Sequence, residues 1–113
     1  MRYMLMICRD ESVGLNRDEQ ADMASSTQAW VEEMDGRGVR QFGQRLRPVS
    51  DATTVRVRDG DLLVADGPFA ETKDQIAGFD VIECADLDEA IDVASKHPVA
   101  RYGTIEVRPF WMD

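Results

Sequence analysis

The sequence is short of the residues that most often carry chemistry. It holds one histidine, His97, and two cysteines, Cys8 and Cys84, widely separated in the chain. That set cannot supply an ordinary zinc site, which needs several closely spaced Cys and His ligands. Two distant cysteines form neither a CxxC motif nor a disulfide framework, so reduced, buried thiols are expected. Glycine-rich phosphate loops, a Walker motif, a GxSxG elbow and any nucleophile–base pair by spacing are all missing. No spaced carboxylate motif points to a metal, and no cofactor is implied. No apolar run approaches the ~18 residues that a membrane span needs. The apolar opening from Met1 to Cys8 is cut off by Arg9 and Asp10, too soon for a signal peptide. Basic charge is scarce too: 13 Lys and Arg stand against 22 Asp and Glu, a net charge of −9. Nucleic acid and anionic membrane both need clustered cations, so neither is an expected partner. Acidity of this kind suits a soluble, cytoplasmic protein. Arg37, Arg40, Arg45 and Arg47 fall close together and make one local basic spot.

What is present fits a single domain over residues 1–113. Apolar residues at 43% and charged residues at 31% are ordinary for a globular chain that buries one core. Residues 2–8 predict a strand apolar enough to lie centrally in a sheet. Asn16 with Glu19 makes a capping-box pattern, and Met23, Thr27, Trp30, Val31 and Met34 follow at helical spacing. A helix over about 17–35 is expected, stopped by Gly36 and Gly38. A weaker strand follows over 39–46. Residues 53–58 alternate cleanly, Asp59-Gly60 makes a two-residue turn, and 61–64 return, which predicts a hairpin. Another strand is expected over 78–84. Asp86 and Glu89 suggest a second capping box, with Leu87, Ala90, Ile91 and Ala94 as the buried stripe. Pro98 ends this helix, and 104–108 form the last strand.

Two strand–helix–strand units joined by a hairpin predict an α+β fold, a ferredoxin-like sandwich with an inserted β-hairpin. Helices cover one face of such a sheet and leave the other open. An apolar open face calls for a partner, so a homodimer packed sheet against sheet is expected. This topology places Cys8 and Cys84 at opposite edges of the sheet, too far apart for a disulfide.

The densest chemistry lies in Asp66-Gly67-Pro68-Phe69-Ala70-Glu71-Thr72-Lys73, followed by Ile76-Ala77-Gly78-Phe79. A plain hairpin connection takes roughly two to five residues, and a loop over 66–77 is longer. Glycine and proline stiffen it, and stiff loops bearing charged side chains are where sites are built. Asp66 either caps the turn or serves as an acid or base. Phe69 either plugs the core or lines a ligand cavity. Glu71 and Lys73 either pair on the surface or work together, Lys73 holding an anion while Glu71 moves a proton. His97 suits a charged partner for the helix C-terminus, and is catalytic only if the fold brings it to the loop. Tyr102 either joins it or fills the core. Arg9 and Asp10 end the first strand where a cleft can open, or are simply solvated.

These residues carry a resemblance. Asp66-Gly67-Pro68-Phe69 with Glu71, Thr72 and Lys73 resembles the signature of the DGPF-domain family, a branch of the YCII-related proteins. Gly78-Phe79, Leu87-Asp88-Glu89-Ala90, Ile105-Glu106-Val107-Arg108-Pro109 and the opening Tyr3-Met4-Leu5-Met6 extend it over nearly the whole chain. The resemblance implies a dimeric α/β barrel. An enzyme-like branch of that family has a histidine near the start of the first helix, paired with an aspartate. Here the region reads Asn16-Arg17-Asp18-Glu19-Gln20, without histidine. The resemblance also implies a genomic association with extracytoplasmic-function sigma factors.

The expected function is a small homodimer with a pocket near the 66–77 loop that binds a small anionic or aromatic ligand. Catalysis without a cofactor, of an isomerase or lyase kind, would rest on Asp66, Glu71, Lys73 and His97, with Phe69, Arg9 and Tyr102 binding the ligand. The alternatives are a non-enzymatic accessory protein linked to sigma-factor regulation and a purely structural dimer.

Overall fold

The chain runs β1 (Arg2–Asp10), α1 (Arg17–Gly36), β2 (Arg40–Arg45), β3 (Thr53–Arg58), β4 (Asp61–Asp66), β5 (Asp74–Glu83), α2 (Leu87–Ser95) and β6 (Thr104–Pro109) in the computed structural model, which describes residues 1–112. Short 3₁₀ turns lie at Val49–Asp51 and Pro98–Arg101. Strands in the order β2-β5-β1-β6 make one antiparallel sheet, and β3 with β4 make a separate hairpin. This order agrees with the ferredoxin-like α+β expectation. Within one chain the sheet stays open and does not close into a barrel.

Period-two alternation decides which side chains meet the helices. In the central pair, Tyr3 faces Ile82, Leu5 faces Asp80 and Ile7 faces Gly78, all buried. Trp30 and Met34 of α1 and Ala90, Val93 and Ala94 of α2 close over that face. The indole N–H of Trp30 donates to the Val93 carbonyl at 3.0 Å, which ties the two helices together. The capping box at the start of α1 forms as expected, with Glu19 N–H on Asn16 Oδ1 at 2.8 Å and Asn16 N–H on Glu19 Oε1 at 3.1 Å. Gly38, at φ +72°, turns the chain out of α1 into β2.

Among the described residues, Asp80 is the one buried carboxylate on this face. It is 6% exposed and accepts from Arg40 Nε at 2.8 Å, and Arg40 also reaches Asp35 Oδ1 at 3.2 Å. Gly43 lies directly beneath the pair, and a methyl group there would overlap Asp80 Oδ1. Arg40 is thus turned inward and Arg47 is held by Asp51, so the expected basic spot is dispersed.

Four expectations are corrected. β5 begins at Asp74 rather than at residue 78, because Ile76 pairs with Cys8 through a bulge, so the loop spans 67–73. Leu87 and Ile91 are 49% and 51% exposed, since Val93 with Ala90 and Ala94 turns the α2 stripe toward Trp30. Cys8 and Cys84 sit at opposite ends of neighbouring strands, not at opposite edges. At about 3.3 Å per residue they stand roughly 20 Å apart, so the exclusion of a disulfide holds. His97 is not a charged partner of the helix end. It is 4% exposed, its ring meets Trp30 edge-on at 4.7 Å, and Nδ1 accepts from the Val99 N–H at 3.1 Å. Burial pushes its pKa down to about 4, so the ring is neutral.

Two stability effects follow. Asp80→Ala strands Arg40 with only the exposed Asp35, and a loss of about 3 kcal/mol is expected in urea unfolding at pH 7. Gly43→Ala, which must displace the same pair, is expected to lower stability in the same direction. A loss below ~0.5 kcal/mol for both would show that the pair does not hold β2 in place. His97, neutral in the fold, gives its full stabilisation above its ordinary pKa of 6.5 and loses it as pH falls toward about 4. His97→Asn keeps an acceptor for Val99, so its stability is expected to fall by about 3 kcal/mol less than wild type between pH 7 and pH 4. Parallel curves for the two proteins would refute a neutral buried His97.

Candidate functional site

The far end of β1 and the loop before β5 come together around a solvent-open cleft of about 520 Å³. That size is within the roughly 300–1,000 Å³ of small-molecule sites. Asp10, Glu11 and Ser12 form one wall, Pro68, Glu71 and Lys73 form another, and Val49 with Gln75 completes the lining. The sheet register brings the walls together, since Asp10 pairs with Asp74.

Local hydrogen bonds shape the loop. Gly67 takes φ +96°, its N–H donates to the Ala52 carbonyl at 2.7 Å, and Thr54 Oγ1 donates to the Gly67 carbonyl at 2.8 Å. Gln75 Nε2 donates to the carbonyls of Ala70 at 2.9 Å and Thr72 at 3.1 Å. Thr72 Oγ1 donates to the Asp74 carbonyl at 2.6 Å. On the opposite wall, Ser12 donates to Asp10 Oδ1 from its backbone at 2.9 Å and from its hydroxyl at 2.6 Å. Those bonds, and the charge of Lys73, hold the Asp10 carboxyl below the usual aspartate range. Asp10 is therefore ionised and a poor proton donor. Glu11 Oε2 accepts from the Val49 N–H at 3.3 Å.

The structure separates the residues singled out in the sequence. Glu71 and Lys73 line the cleft, and no ion pair joins them among the described residues. Asp66 ends β4 in solvent outside the lining, and its carboxylate makes no cap there among the described residues. Phe69 is 78% exposed, so it neither plugs the core nor lines the cleft. Arg9 pairs with Gln75 in the sheet but does not line the cleft. Tyr102 closes the Pro98–Arg101 turn and is 60% exposed, so it does not fill the core. His97 lies in the core against Trp30, and the fold does not bring it to the loop. Glu11, Ser12, Val49 and Gln75 escaped the sequence reading. Gln75 alone carried a signal, as an amide just behind a stiff loop.

The thiols are not activated. Burial raises the Cys8 pKa, with Glu106 and Asp74 adding to it, and burial with Glu89 pushes Cys84 up to about 11. A thiolate nucleophile needs the opposite shift.

An uncharacterised protein, R00369, of Rhizobium meliloti strain 1021 is 37% identical over 126 aligned residues, covering 96% of this chain and 91% of that protein. The profile of the YCII-related domain matches residues 1–112. Identity at that level over nearly the full length, together with a profile match along all the described residues, makes this chain a member of the YCII-related family.

Proposed function

We propose that the chain works as a cytoplasmic homodimer, packed sheet against sheet in the manner of a dimeric α/β barrel, and that it holds a small molecule in the cleft beside the DGPF loop. The observation that carries the binding reading is the convergence of Asp10, Glu71 and Lys73 on one open cleft of ligand size. Lys73 is the cation for an anionic group, and Val49 with Pro68 offers an apolar surface to an aromatic one. Three carboxylates, those of Asp10, Glu11 and Glu71, oppose that single ammonium. The fitting ligand is therefore a small organic acid or aromatic that also donates hydrogen bonds, rather than a bare anion.

Binding is favoured over turnover. Asp10, the cleft carboxylate with a displaced pKa, is displaced away from proton donation. Binding without turnover also fits the accessory role in sigma-factor regulation that the family resemblance implies. Acid–base catalysis of an isomerase or lyase kind is the second reading, with Glu71 as base and Lys73 as anchor. The reading needs no cofactor.

A thermal-shift screen of small organic acids and aromatics tests the site. A ligand at about 100 times its Kd stabilises the fold by about 2.7 kcal/mol. The stabilisation is expected to vanish in Lys73→Ala and to persist in Asp66→Ala, which alters a residue outside the cleft. Hits that survive Lys73→Ala unchanged would move the site elsewhere, and turnover of a hit would favour the catalytic reading.

A further inference from the structure

The β3–β4 hairpin has no layer to pack on. Its register pairs Val55 with Val64 and Val57 with Leu62 on one face, and all four are 59–67% exposed. The opposite face is mixed, with Thr54, Arg56, Arg58 and Asp61 beside Leu63 and Ala65, whereas the centre of the first face is wholly apolar and bare. A two-stranded hairpin alone in water is marginally stable and needs packing to persist. The radius of gyration is 16.0 Å, against about 13 Å for a compact chain of this length. The smallest extent of the molecule is only 18 Å beside 47 and 45 Å, so the hairpin extends beside the two-layer body rather than folding over it.

We propose that this hairpin is an arm that clasps a second copy of the chain, continuing the interface that begins at the open sheet face. The proposal rests on the homodimer reading above and adds the part played by the arm. The open face carries Met4, Met6, Phe79 and Val81, flanked by Phe42 at 58% and Ile76 at 43% exposure. With ~3.4 Å per residue and ~4.8 Å per strand, that face measures roughly 20 by 20 Å and the arm roughly 20 by 10 Å. The sheet face alone offers roughly 400 Å², short of the ~800 Å² per partner typical of stable complexes. The arm raises this to roughly 600 Å² before side-chain relief, which brings it within range. A second copy is the occupant that both patches fit at once, because a two-fold axis makes every unpartnered patch available twice.

Sedimentation equilibrium of the full chain decides the matter. Wild type is expected to be a dimer, and Val57→Ser combined with Leu62→Ser to weaken it roughly tenfold or more, since each change is felt at both arms. Arg56→Ser, on the opposite face, is expected to shift the dimer constant far less. Hydrogen exchange on wild type gives a reading free of any variant: amides in residues 53–66 are expected to be protected above the dimer Kd and released below it. A double variant that dimerises as tightly as wild type, or arm protection independent of concentration, would overturn the arm and leave the homodimer standing. A monomeric wild type would overturn both.

Discussion

Everything in this fold depends on the pleat of two strands, β1 and β5. Because side chains alternate, burying Tyr3, Leu5, Ile7 and Ile82 on one face forces Met4, Met6, Phe79 and Val81 onto the other. Only two α-helices lie among the described residues, and both turn buried side chains to the first side. A slip of one residue would exchange the two faces, but the buried Asp80 forbids it, because that carboxylate has its Arg40 partner on the helix side only. The open apolar face is therefore a direct consequence of strand composition.

The Asp80–Arg40 pair is a device of position rather than a source of stability. Burial raises the Asp80 pKa despite the hydrogen bond and charge of Arg40, a desolvation cost borne at Asp80, while contacts with Asp80 and Asp35 raise the Arg40 pKa despite its own burial. In exchange it binds three elements together: Asp35 at the end of α1, Arg40 on the edge strand β2 and Asp80 on central β5. Gly43 is required because the carboxylate occupies the space a side chain would fill. None of the three charged residues stands out in the sequence. Arg40 reads as one cation among several on a half-exposed strand, and its partner lies forty positions away.

Legibility followed the range of the interactions. The N-caps at Asn16 and Asp86, the Asp59-Gly60 turn and the alternation of 53–58 are local, and each forms as the sequence indicates, except that the return bond from the Asp86 N–H to the Glu89 side chain, which would complete the second capping box, is absent among the described residues. The strand order is legible as well, since two strand–helix–strand units admit few arrangements. The start of β5 was not, because Ile76 and Ala77 follow a glycine- and proline-bearing loop and only pairing with Cys8 reveals them as strand. His97 misled for a similar reason: a histidine before a proline suits a helix end, and only the long-range contact with Trp30 shows it to be core. The cleft was half legible. Glu71 and Lys73 announced themselves by charge on a stiff loop, and Asp10 by its place at a strand end. Glu11, Ser12 and Val49 lie on segments that carry no motif.

The distribution of hydrogen bonds within the cleft bears on what it does. The loop backbone is held by neutral groups, namely the Gln75 amide, the Thr72 hydroxyl and the Ala52 carbonyl. Its charged side chains, Glu71 and Lys73, take no part in that scaffolding. A loop stiffened by neutral bonds loses little freedom when a ligand arrives, and its charges need not leave internal partners to meet one. The two chain segments that enter and leave the hairpin, at Val49 and Pro68, also line this cleft. A movement of the hairpin would therefore be felt at both of those lining segments.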